Sequence, residues 1–174
     1  MKRPLDSITG SRPLRVAALV SMWFAASAYA DGGSEKMTLS AYVDAAEGST
    51  LLAGRYADVI GVLGSHGLSF KQDEVAASTN LCVAYIMMHR WSDADPACDA
   101  AIRFAKLEMP ESGPAAADAH AQRVAIAYSN RAVLEWLEDR SGSAADDLTR
   151  AHALAPGSEF VAQNLARLHA PVRG

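Results

Sequence analysis

The stretch "SNRAVLEWLEDRSGSAADDLTRAHALAP", residues 129–156, carries two apolar helical faces separated by a short polar break. Such a text folds as an antiparallel pair of helices. Fifty residues upstream, "TNLCVAYIMMHRWSDADPACDAAI", residues 79–102, has nearly the same layout. Setting Asn80 on Asn130 places Cys82 on Ala132, Ala94 on Ala144, Cys98 on Leu148 and Ala101 on Ala151. Small residues at these positions let helix backbones approach to the short end of the roughly 8–10 Å packing range, and bulkier neighbours fill the gaps.

Outward from this pair the chain stays helical in pattern. "LSAYVDAAEGSTLLAG" from Leu39 and "RYADVIGVLGSHG" supply apolar residues near helical spacing and predict a first, less regular hairpin. Ser69 and Gln72 have the spacing of a capping box, which predicts a helix beginning near Phe70. Ser92 is expected to cap the next helix, with Pro96 close to its first turn, and Ser141 or Ser143 to open the one before Pro156. After Ser158 a final amphipathic segment presents Phe160, Val161, Leu165 and Leu168 on one side. The count is seven helices, three hairpins and one left over. A stack of hairpins exposes an apolar face at its end, and the last helix is suited to cover it.

The N-terminus reads as an address. Lys2, Arg3, Arg12 and Arg15 precede "VAALVSMWFAASAYA", which predicts a cleavable export signal over residues 1–30, cut after Ala30. Residues 31–38 are then a mobile lead, 39–169 the helical domain and 170–174 a tail. Removing residues 1–30 takes four of the 16 basic and one of the 20 acidic residues, leaving 12 against 19 and a net charge of −7. That sign, without a Lys/Arg cluster, argues against nucleic acid or an anionic lipid surface as partner. The expected location is periplasmic or secreted, with no membrane insertion once the signal is gone.

The repeated hairpin resembles the tetratricopeptide repeat, through Ala132, Ala144, Leu148, Ala151 and Pro156 in the last copy and Leu81, Ala84, Tyr85, Trp91, Ala94 and Ala101 in the middle one. The first hairpin matches only in "AGRYADVIGVL". The copies lie 50 residues apart rather than the family's roughly 34, the closing proline is missing from the first two, and Glu135 stands where an aromatic is usual. The resemblance implies an all-α fold of stacked antiparallel hairpins, an α-solenoid of about three hairpins with a C-terminal capping helix. It also implies a concave groove lined by the first helix of each hairpin. On this chain that face maps to Thr79, Asn80, Val83, Ile86 and Met87, and to Ser129, Asn130, Val133, Trp136 and Leu137. Asn80 and Asn130 would stack at equivalent places and bond the backbone of an extended peptide. Positions where some relatives carry Lys and Arg to grip a peptide carboxylate hold Ala76, Thr79, Ile126 and Ser129, which does not support that mode.

Cys82 and Cys98 are equidistant from residue 90, the expected turn, so an antiparallel hairpin sets them opposite each other as a candidate disulfide in an exported chain. The alternative is two buried thiols. The five histidines never pair at i, i+4, and Asp93-x-Asp95 lacks the rest of a calcium loop, so no metal is expected. With no GxSxG motif and no base beside either cysteine, no catalytic residue or cofactor is assigned. The expectation is a non-catalytic protein–protein interaction module. The alternatives are an enzyme or small-ligand binder using a pocket beside the first hairpin, and a self-associating envelope scaffold.

Overall fold

The computed structural model describes residues 19–22, 37–65, 73–110 and 112–170. Two short strands, β1 (Leu19–Met22) and β2 (Leu39–Tyr42), precede seven helices: α1 (Gly48–Leu52), α2 (Tyr56–Ser65), α3 (Glu74–Met87), α4 (Trp91–Leu107), α5 (Pro114–Leu137), α6 (Ser141–Leu154) and α7 (Glu159–Leu168). The fold is thus mostly helical.

The hairpin pairs are α3 with α4 and α5 with α6. Each turns through a non-glycine residue in the left-handed region, His89 at φ 54° and Asp139 at φ 60°. The turn amides close back on the helix: Arg90 N–H donates to Tyr85 O at 2.9 Å, and Arg140 N–H to Glu135 O at 2.7 Å. This six-to-one bond satisfies a carbonyl that the helix end would orphan. His89 and Asp139 are also 50 residues apart, so the repeat seen in the text extends to backbone conformation.

Successive first helices touch, α3 on α5 and α5 on α7, while α4 packs on α5 and α6 on α7. Small residues sit at the crossings: Ala94, Ala101, Ala132, Ala144 and Ala151 are fully or almost fully buried. Leu134 and Leu148 fill the space between them, with Phe160 and Val161 of α7 covering the last hairpin. Cys82 and Cys98 form a disulfide with Cα atoms 4.8 Å apart, which joins the middle of α3 to α4. Ala94 and Ala101, on the same helix as Cys98, leave room for that approach.

Local expectations shift in four places. The segment from Leu39 is a strand and turn rather than a helix, with only α1 helical before Gly54. Its backbone finds side-chain partners in place of helical ones, described below. Gly48 lies so close to the Val43 backbone that a Cβ there would overlap it, so this tight turn requires glycine. Next, α3 starts at Glu74, capped by Asp73, whose Oδ1 accepts from Ala76 N–H at 3.0 Å; Phe70, Ser69 and Gln72 lie outside the described residues. Then α4 starts at Trp91, so Ser92 is inside it, and its entry is set by the left-handed turn at His89. Finally, Ser141 opens α6 without a side-chain cap. The expected signal and mobile lead fall mostly on residues outside the description, but Met37 and Thr38 are buried.

Candidate functional site

Three helices each aim one asparagine at the same strand. In α5, Asn130 Oδ1 accepts from Ser40 N–H at 2.9 Å and its Nδ2 donates to Ser40 O at 2.7 Å. In α3, Asn80 Oδ1 accepts from Tyr42 N–H at 2.8 Å, and Nδ2 donates to Tyr42 O at 2.9 Å. In α7, Asn164 Oδ1 accepts from Thr38 N–H at 2.7 Å while Nδ2 donates to Thr38 O at 2.8 Å and to Ser129 Oγ at 3.1 Å. Each carboxamide offers one acceptor and one donor side by side, as a neighbouring β-strand residue does. The three together act as a substitute strand edge.

The geometry follows from strand periodicity. Alternate residues of an extended chain point their N–H and C=O groups to the same side, about 7 Å apart. Residues 38, 40 and 42 therefore turn one edge to the asparagines. Leu39 and Ala41 turn theirs to the other edge, where β1 pairs antiparallel with β2, Met22 opposite Leu39 and Val20 opposite Ala41. All four residues of β2 are buried. Leu39 and Ala41 join the cluster containing Leu51, Val59, Leu63, Val83, Ile86 and Val133, whereas Tyr42 packs with Val75, Ala76 and Ile126.

Of the ten residues predicted for the groove, nine are buried or pack at this place, and Trp136 joins neither core cluster. Thr79, Asn80, Val83, Ile86, Ser129, Asn130 and Val133 are buried, Met87 and Leu137 pack at the edge of the same cluster, and Trp136 is 37 % exposed. The extended backbone that Asn80 and Asn130 bond is the chain's own. The groove foreseen as open is filled by residues 37–42, because six buried hydrogen bonds and the side chains of Met37, Leu39 and Tyr42 hold the segment there. Asn164 was missed. Its signal was present, since it follows Asn130 by 34 residues, the period of the tetratricopeptide repeat that the hairpins resemble. The other available signal was "MTLSAY" read with period two rather than 3.6.

Charged groups stiffen the outer side of the stack. Arg131 of α5 holds Asp147 of α6 through two bonds, Nε–Oδ2 2.7 Å and Nη2–Oδ1 3.0 Å, and Asp99 of α4 through Nη1 at 2.6 Å. Asp147 is only 2 % exposed and also accepts from Arg150 Nη1 at 3.1 Å, so a part-buried joint links the three helices. Arg123 bridges Asp73 and Glu108, and its guanidinium lies 5.2 Å from the centre of the Tyr42 ring. Burial alone would raise the Asp73 carboxyl, but the bonds from Arg123 and the Ala76 amide outweigh it and leave the group below its usual range. Burial drives the Tyr42 phenol well above its usual range. Glu135 is pushed up to about 6 by burial, with the nearby Asp147 charge adding to it.

Among the described residues no group of three His, Cys, Asp or Glu side chains is placed to hold a metal ion. No helix among them is long and apolar enough to cross a membrane. No family model, curated protein or solved structure matches the chain.

Proposed function

We propose that this chain is an exported, non-catalytic interaction module, built as a tetratricopeptide-like stack, which holds a partner protein or peptide on the face lined by α3, α5 and α7. The observation that carries the reading is the asparagine ladder. Three carboxamides at matched helical positions bond both backbone groups of alternate residues in an extended chain. Such a device recognises main chain rather than side chain, the mode used for binding extended polypeptide. The contacts between successive first helices, and of each second helix with the next first helix, support the solenoid reading. The disulfide supports an oxidising compartment, consistent with an export signal.

Residues 37–42 fill the groove between α3, α5 and α7, and β2 is itself buried beside β1. In this reading a partner therefore meets the edge residues Met87 and Leu137 and the exposed Trp136 on α5, and reaches β2 only once residues 19–22 have left. A photo-crosslinkable residue at Trp136, with exposed Asp146 on α6 as control, tests the reading in intact cells. One recurrent adduct at position 136 and none at 146 is expected. No adduct at position 136, or equal adducts at both, overturns it.

A further inference from the structure

We propose that the outer edge of β2 is a strand-receiving site for an extended, uncharged, apolar segment of a partner protein, held in the full chain by residues 19–22 and opened when they leave. The inference rests on the interaction-module reading and specifies how the module engages its partner.

The inner edge of β2 is fixed by six side-chain bonds, so the strand stays extended whether or not anything lies on its outer edge. That leaves the N–H and C=O groups of Leu39 and Ala41, residues that are 4 % and 3 % exposed. Beside β1 these groups are paired; without it they form the open edge of a preformed strand, which templates another strand. In this structure β1 fills the edge in antiparallel register. Its sequence, Leu-Val-Ser-Met, has no charge, proline or glycine, and the occupant we propose has the same composition. Residues 19–22 also lie in the apolar stretch of the expected export signal. Cleavage after Ala30 would remove them and expose two residues' worth of unpaired backbone beside the apolar rim. A polypeptide running antiparallel to β2 restores all four bonds.

Antiparallel pairing alternates, and Ser40 spends both its backbone groups on Asn130, so the bonded pairs are Val20 with Ala41 and Met22 with Leu39. This gives a register-specific test in the full chain. Val20→Pro removes an N–H that faces Ala41, whereas Ser21→Pro alters one that points away. Residue-resolved amide exchange by NMR is expected to show Leu39 and Ala41 exchanging at least tenfold faster in V20P, with Ser40 and Tyr42 unchanged. S21P, folded by the same spectra, should keep wild-type protection. An acetylated peptide of residues 17–24 added to V20P should restore protection saturably, and the same peptide with proline in place of Val20 should not.

Unchanged Leu39 and Ala41 exchange in V20P, or no restoration by the peptide, overturns the proposal. Protection that returns with rising protein concentration alone, with doubling of the sedimenting mass, assigns the edge to a second copy and overturns it equally. These readouts need no natural partner, so failure of the crosslinking at Trp136 and failure here are separately visible.

Discussion

Replacing Asn130 by alanine tests the ladder at its centre. The variant loses two bonds, 2.9 and 2.7 Å long, and leaves Ser40 N–H and C=O buried with no partner. Each orphaned group costs about 1–3 kcal/mol, so keeping the segment in place costs about 4 kcal/mol. Release is the other route. Freeing residues 37–42 re-exposes Met37, Leu39 and Tyr42 at about 2 kcal/mol each, while six residues regain roughly 1–2 kcal/mol of backbone entropy apiece. Those terms nearly cancel, which leaves the asparagine bonds to decide whether the segment stays. In Asn130→Ala the four bonds from Asn80 and Asn164, about 1 kcal/mol each, stand against an orphaning cost of similar size, so the segment should be only marginally held. Ser40 and Tyr42 amide exchange should accelerate about 100-fold or more, and urea unfolding should report a loss of about 2–4 kcal/mol. Asn130→Asp sharpens the test. Ionised, it keeps the acceptor for Ser40 N–H but sets a negative charge against Ser40 O, so it should be worse than alanine at pH 7. Protonated at pH 3.5 it regains a donor and should recover most of the loss relative to alanine. An Asn130→Ala protein with wild-type protection at Ser40 and stability within about 1 kcal/mol refutes the reasoning.

Opening the Cys82–Cys98 disulfide by a double Cys→Ala substitution frees a closed loop of sequence separation 16, which should cost about 3 kcal/mol and lower Tm by about 10 °C in a calorimetric scan. Arg131→Met removes the bidentate partner of the buried Asp147 carboxylate and leaves it only the Arg150 pair at 3.1 Å; chemical denaturation should show a loss of about 1–3 kcal/mol, largely relieved by adding Asp147→Asn. Glu135 titrates near 6 in the folded chain against an ordinary value of 4.5. The folded state therefore binds the proton more tightly, and this group's contribution to stability is greatest below about pH 4.5 and falls as pH rises through about 6. Glu135→Gln should raise stability by about 1–2 kcal/mol at pH 7.5 and by nothing at pH 4, as read by urea midpoints at the two values.

The helices were legible because their signal is local and redundant. Ala94, Ala144 and Ala151 repeat at matched positions, and the Ser129–Pro156 text sets two apolar faces about one polar break. The disulfide was legible for the same reason, since the turn at residue 90 fixes which residues of the hairpin oppose. What failed was the stretch from Leu39 to Gly48. Its apolar residues at 39, 42, 43 and 46 fit a helical period over barely two turns, too few to discriminate. The decision lay 38, 90 and 126 residues away, in the carboxamides of Asn80, Asn130 and Asn164. The resemblance implies that Asn80 and Asn130 stack at equivalent positions able to bond an extended peptide backbone; that the backbone they bond is this chain's own is a property of the tertiary fold. Reading the repeat at 34 residues as well as 50 would have added Asn164 and completed the ladder.

The unequal spacing has a structural explanation that bears on the ladder's purpose. Asn80 is the seventh residue of α3 and Asn164 the sixth of α7, whereas Asn130 is the seventeenth of α5. Most of the extra length between the two hairpins is thus an N-terminal extension of α5, whose first turns are exposed or half-buried. From each of the first two asparagines to its helix end the distance is the same seven residues, to Met87 and to Leu137. The insertion therefore lengthens one helix away from the strand while the clamp's register stays intact. A bundle that needed only a filled core could have closed this face with apolar side chains, without burying three carboxamides that must all be satisfied. Keeping three at the spacing of alternate strand residues fixes β2 as an extended edge with its remaining backbone groups aimed at a neighbour. In this structure that neighbour is β1, and the strand-receiving site we propose for a partner rests on the same geometry.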